Sequence, residues 1–119
     1  LDGSPLRAAA AACVRGGAEA VLINCAHPEV IERALHALQP LRHDGVRLGA
    51  YANAARLLRT PGEPPRFLAD PSPPARQVAE YAAAARRWRD TLGAVLLGGC
   101  CGTTPAHIRA LAALPPSET

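Results

Sequence analysis

Two adjacent cysteines, Cys100 and Cys101, sit inside the run Gly98-Gly99-Cys100-Cys101-Gly102-Thr103-Thr104-Pro105. A cysteine pair flanked by glycines has three readings: a metal site, two packed thiols in a tight turn, or a vicinal disulfide. Neighbouring side chains of a regular strand point to opposite faces. Two consecutive cysteines therefore reach one ion only if the backbone leaves the pleat between them. Gly98, Gly99 and Gly102 permit that departure, because glycine adopts positive φ at little steric cost. A thiol-redox role fits poorly, since adjacent cysteines lack the spacing of a thioredoxin-like pair.

A third cysteine is placed in the same way. Val21-Leu22-Ile23 is a short apolar run followed by Asn24-Cys25-Ala26-His27-Pro28, just as Ala94-Val95-Leu96-Leu97 precedes the double cysteine. If both runs are parallel strands of one sheet, their carboxyl ends share an edge and the three thiolates converge. Three thiolates on a tetrahedral zinc leave one position open, which is the arrangement of a catalytic rather than a structural site. The neighbours carry more than one reading. His27 is a common ligand type, yet its place before Pro28 fits a helix-entry residue. Asn24 is equally an orienting or substrate-contacting residue and a strand-end side chain that satisfies backbone groups. Thr103 and Thr104 could receive an anionic group at a helix N-terminus, while Thr104-Pro105 suits an N-cap followed by proline at the first helical position.

Holding these residues requires alternating helices and strands, and the hydrophobic spacing supplies them. A helix over residues 6–14 starts from Ser4-Pro5 and stops at Gly16-Gly17, and a strand over 20–24 follows. A helix over 28–38 has Val30, Ile31, Ala34, Leu35 and Leu38 at helical spacing and is closed by Gln39-Pro40. Residues 47–51 read as a weaker strand, and the proline-rich stretch 53–74 as a loop of about twenty residues. The next helix, 74–90, carries an apolar stripe of Val78, Tyr81, Ala82, Ala85 and Trp88. A last strand over 94–97 and a helix over 104–114 lead to Pro115-Pro116 and a frayed Ser117-Glu118-Thr119. This order implies an α/β fold with parallel strands and right-handed crossovers. Cys13 reads as a small packing residue of the first helix, and His36, His43 and His107 are expected to face solvent.

Asn24-Cys25 after one strand, Tyr51-Ala52-Asn53 after the next and the double-cysteine glycine run after the last resemble the homocysteine S-methyltransferase family. The resemblance covers nearly the whole chain and the latter part of that family's domain. It implies a zinc-dependent (β/α)8 barrel in which three cysteines hold Zn2+ and homocysteine's sulfur takes the open position. Carried over by motif, the metal ligands are Cys25, Cys100 and Cys101, and Asn24 is the candidate substrate contact. Many members read Tyr-Pro-Asn where this chain has Tyr51-Ala52-Asn53, which is taken here as a strand end. The implied activity is methyl transfer to homocysteine, forming methionine, with the cysteines as ligands and no side chain assigned as a catalytic group. Homocysteine and a small-molecule methyl donor are the implied partners; family members use S-methylmethionine, betaine or methyltetrahydrofolate.

A complete barrel of this kind needs about 250 residues, and the chain has 119. The expectation is therefore the C-terminal portion of a (β/α)8 TIM barrel, about three parallel strands with flanking helices. Residues 1–119 are read as a partial homocysteine-binding barrel domain without its N-terminal part. The absence of methionine and an opening in the lead-in to a helix agree with a fragment, which alone is expected to be inactive. The alternative is a non-catalytic part-barrel that binds a metal or a partner through exposed sheet edges. A net charge of +3 spread over scattered arginines, with 3% aromatic residues, excludes a nucleic-acid surface. No apolar run approaches the ~20 residues of a membrane span. Cysteines in a chain that is 49% hydrophobic fit a cytoplasmic protein better than a disulfide framework.

Overall fold

Short leucine- and valine-bearing runs become strands and the alanine-rich amphipathic segments between them become helices. The computed structural model describes residues 5–117; the expected helix-starting Ser4 and the tail residues Glu118 and Thr119 lie outside the described residues. Along the chain run α1 (Leu6–Arg15), β1 (Ala20–Asn24), α2 (Pro28–Ala37), α3 (Gln39–His43), β2 (Arg47–Ala52), β3 (Arg56–Leu58), β4 (Arg66–Leu68), α4 (Pro74–Leu92), β5 (Ala94–Gly99) and α5 (Pro105–Ala112). Strands β1, β2 and β5 form one parallel sheet in the order β1-β2-β5. With its flanking helices this is the α/β arrangement expected of a section of a (β/α)8 barrel.

The register sets Asn24, Tyr51 and Gly98 abreast, so the chain leaves all three strands along one edge. Alternation along β2 sends Leu48, Ala50 and Ala52 to a face where each is fully buried. There they join Ile31 and Leu35 of α2, Tyr81, Ala85 and Trp88 of α4, and Ala94 of β5 in the core. Trp88 is the largest of these side chains, 1% exposed, and its truncation to alanine would cost ~3–5 kcal/mol. Gln39 ties the layers together, its Nε2 donating to Leu35 O at 3.0 Å and to Leu92 O at 2.9 Å.

Several expectations are corrected. The helix over 28–38 does end before Gln39-Pro40, as α2 with its C-cap at Leu38, but these residues then open a further short helix, α3, that was not expected, since proline is well suited to the first turn of a helix. The stretch read as a loop contains an antiparallel hairpin, with Arg56 opposite Leu68 and Leu58 opposite Arg66. Three-residue strands are too short to show periodicity, and the prolines around them dominate the composition. Gly98 and Gly99 stay within β5 without positive φ. They are glycines because a Cβ at Gly98 would lie 2.6 Å from the Tyr51 ring and one at Gly99 would lie 2.5 Å from Thr103 Oγ1. Cys13 is exposed on α1 rather than packed. His36 and His43 face solvent as expected, whereas His107 is buried, 5% exposed.

Candidate metal centre

Backbone geometry at the two strand ends decides where the thiols go. Cys25 follows β1 directly and has φ of 55°, the only positive φ at a non-glycine among the described residues. A side chain in that region is held there by its surroundings. Here the Cys25 N–H donates to Tyr51 O at 2.9 Å, prolonging the β1–β2 pairing by one step. On the other side Cys100 N–H donates to Ala52 O at 2.9 Å, after which the chain turns. Thr103 N–H and Thr103 Oγ1 both donate to Cys100 O, at 3.1 and 2.7 Å. Gly102, third in this four-residue turn, has φ of 80°, a value that suits glycine at that position. The turn breaks the pleat between Cys100 and Cys101 and lets adjacent residues serve one point.

The three sulfurs lie within 4.8 Å of one another. Cys101 Sγ is 3.8 Å from Cys25 Sγ and 3.9 Å from Cys100 Sγ. All three are free cysteines, so the vicinal disulfide is not what this turn contains. A tetrahedral metal with metal–sulfur bonds near 2.3 Å has sulfur–sulfur edges of about 3.8 Å. These spacings could therefore accommodate a metal ion with little movement, and an all-thiolate donor set suits a soft or borderline cation.

So many thiols at short range cannot ionise alike. Hydrogen bonds from Cys100 and then Cys101, with a smaller contribution from the Asn53 side chain and from the Arg59 charge, hold Cys25 below the ordinary thiol range. Cys101, bonded to Cys25 and Cys100 and partly desolvated, is pushed up to about 11. A bound cation would override this unequal division, because its charge favours the thiolate at every ligand.

Asn53 is the residue that sequence reasoning passed over as a strand end. It is 2% exposed, its Oδ1 accepts the Cys101 N–H at 3.0 Å, and its own N–H donates to Ala26 O at 2.8 Å. The next residue completes the grip, Ala54 N–H donating to Cys101 O at 2.9 Å. Tyr81 was read only as part of an apolar stripe. Its hydroxyl lies 2.7 Å from Gly98 O and 3.0 Å from Ala52 O, sharing a proton between the ends of β5 and β2. Burial pushes its pKa up to about 12, so it stays a donor.

The other candidates fall outside the thiol cluster. Asn24 is exposed at the last position of β1. His27 is the N-cap of α2, its Nδ1 accepting the Glu29 N–H at 3.4 Å, which fits the helix-entry reading. Thr104 caps α5 in a reciprocal box with His107, whose Nδ1 accepts the Thr104 N–H at 3.0 Å.

A family model described as homocysteine S-methyltransferase matches residues 1–114. The chain is 36% identical over 95 residues to homocysteine S-methyltransferase 1 of Brassica oleracea var. italica, covering 77% of this chain and 26% of that protein. The protein of the same name from Arabidopsis thaliana is 34% identical over 95 residues, with the same 77% and 26% coverage. The methionine synthase of Mycobacterium tuberculosis is 34% identical over 114 residues, 95% of this chain and 9% of that protein. The chain thus spans about a quarter of the length of the plant relatives and less than a tenth of the mycobacterial one.

Proposed function

This chain belongs to the homocysteine S-methyltransferase family, and we propose that it supplies the metal-holding part of a centre that transfers a methyl group to the sulfur of homocysteine, forming methionine. Residues 1–119 are then part of a homocysteine-binding barrel domain. One observation carries the reading: Cys25, Cys100 and Cys101 come from two strand ends to within 4.8 Å. Three thiolates fit Zn2+ and leave a fourth position for the substrate. When bound there, zinc would lower the pKa of an incoming thiol so that its sulfur is nucleophilic near neutral pH.

The chain's own residues do the positioning. Asn53 fixes the Cys101 peptide, Gly102 permits the turn that brings Cys101 back toward Cys100, and Tyr81 holds the two strand ends in register. Asn24, exposed at the end of β1, is the residue this reading assigns to substrate contact. The cysteines act as ligands rather than nucleophiles, and no covalent enzyme intermediate is required. Thiols kept as metal ligands suit a reducing compartment, and a cytoplasmic location is part of this proposal. Among the described residues no helix is long and apolar enough to cross a membrane.

The test is zinc content and homocysteine methylation by the full protein carrying this chain, with sulfonium, betaine and folate methyl donors. Cys25→Ser, Cys100→Ser and Cys101→Ser should each lower bound zinc and abolish turnover. Full zinc content in all three variants, or no methylation of homocysteine with any donor, would reject the reading.

A further inference from the structure

A cavity of about 420 Å³ is lined by the first turns of both α4 and α5. Pro74, Ala75 and Val78 line it from α4, Ala106 and His107 from α5, and Gly102 from the turn between; none of the three clustered cysteines takes part. Volumes of this order hold small ligands, with a few polar groups fixing their orientation. Both helices open on proline, which has no N–H, so Ala75 and Ala106 carry the first donor of each. The amides that follow are taken. Arg76 and Gln77 N–H donate to Pro73 O at 2.9 and 3.1 Å, and His107 N–H donates to Thr104 O at 3.0 Å. The Ala75 and Ala106 N–H groups have no partner among the described residues. Neither helix has an acidic residue in its first turn, and no carboxylate lines the cavity. Two positive helix ends thus border one space with no charge to offset them.

The imidazole in the same wall is a second and independent sign of a ligand. His107 is 5% exposed, and its Nδ1 accepts the Thr104 N–H at 3.0 Å. The neutral ring therefore carries its proton on Nε2, and that atom is buried with no acceptor among the described residues. Buried donors are ordinarily paired, and one left over in a cavity wall calls for an acceptor from outside the chain. We propose that this cavity binds a small carboxylate with an apolar body, its oxygens accepting from the Ala75 and Ala106 N–H groups and from His107 Nε2. Two carboxylate oxygens have lone pairs enough for three donors. Pro74 and Val78 supply the apolar wall for the body. The site is separate from the thiol cluster and does not rest on the methyl transfer proposed above.

Calorimetric titration of the zinc-loaded full protein with 4-methylpentanoate tests this, beside two partial probes. 4-Methylpentanamide keeps the body and loses the charge; acetate keeps the charge and loses the body. 4-Methylpentanoate should bind at least about tenfold more tightly than either, since the amide forgoes charge-assisted hydrogen bonds and acetate forgoes apolar burial. Ala75→Glu places the protein's own carboxylate in the first turn of α4, where it favours the helix. Its melting temperature should be unchanged or raised while 4-methylpentanoate binding falls by at least about tenfold, and Ala75→Gln, of the same size without the charge, should weaken binding less. Equal binding of the carboxylate and its amide would show that the cavity reads shape alone. Binding that survives Ala75→Glu would put the carboxylate elsewhere, the metal included. Either result, or no binding of 4-methylpentanoate at millimolar concentration, overturns the proposal and leaves the three-cysteine reading untouched.

Discussion

Asn53 shows how a single side chain can organise a cluster of three thiols without belonging to it. Its Oδ1 holds the Cys101 N–H while its amide side chain favours the Cys25 thiolate, so one residue addresses ligands from both strand ends. Second partners of this kind are typically worth 10- to 100-fold in metal affinity. Asn53→Ala is expected to weaken zinc binding by about that factor in competition with a chelator, and to cost ~1–3 kcal/mol by leaving the Cys101 N–H unpaired. Cys13 provides the control: it is exposed on α1, and Cys13→Ser should leave zinc content unchanged while Cys25→Ser lowers it. Equal loss from both would reject the three-ligand set. The cysteines themselves were legible from sequence because each follows an apolar run and two lie among glycines. Asn53 and Tyr81 were not, because their partners are 48 and 29 residues away along the chain, and no local pattern records such a contact.

At the scale of elements, the strands and helices that carry the ligands could be read from hydrophobic spacing and from proline and glycine punctuation. β1 emerged with the expected bounds, and β2, β5 and α4 run only one or two residues further than their patterns indicate. The misreadings arose where tertiary packing or short length overrides pattern. The hairpin β3–β4 is one case; α5 is another, since its His107 was expected in solvent but is drawn inward to cap Thr104 and stand edge-on to Tyr81 at 5.3 Å. Burial holds the His107 pKa below the ordinary 6.5, and an imidazolium would lose the Nδ1 acceptor on which the cap depends. The unfolded chain takes up this proton first, so stability is full above about pH 6.5 and falls as pH drops toward the folded-state value. Between about pH 7.5 and pH 5 the melting temperature should fall less steeply in His107→Gln, which keeps an acceptor for the capping box. Asp70 and Asp90 titrate in a separate window. The Ser72 N–H and Arg89 respectively hold their carboxyls below 3.8, so what they contribute is lost only as pH falls through those lower values. Identical slopes for the two proteins would show that His107 does not report on folding.

The whole molecule is a thin plate, 44 × 42 × 19 Å, with a radius of gyration of 15.0 Å against about 13.5 Å for a compact domain of this length. Helices cover the face of Leu48, Ala50 and Ala52. On the opposite face Leu22 and Leu96 approach Gly49, and Tyr51 is 39% exposed. Parallel sheets are ordinarily covered on both faces, and here β1 and β5 also present outer edges that pair with no other described strand. A closed barrel removes such edges, and in the function proposed above it would set strand ends from around the ring opposite Cys25, Cys100 and Cys101, where a methyl donor would be held in line with the substrate sulfur. The three described parallel strands, with the cysteines at the ends of β1 and β5, do not include that opposite wall. The 119-residue chain by itself should therefore give no measurable methylation of homocysteine, with or without added zinc, and its open edges should make it associate in sedimentation experiments. The full protein carrying the chain should turn over with at least one of the sulfonium, betaine or folate donors. Robust turnover by the 119 residues alone would show that three strands suffice to position both substrates. A monomeric, zinc-binding and inactive full protein would instead favour the part-barrel as a binding module, with the same three cysteines holding a metal but no methyl group passing beside it.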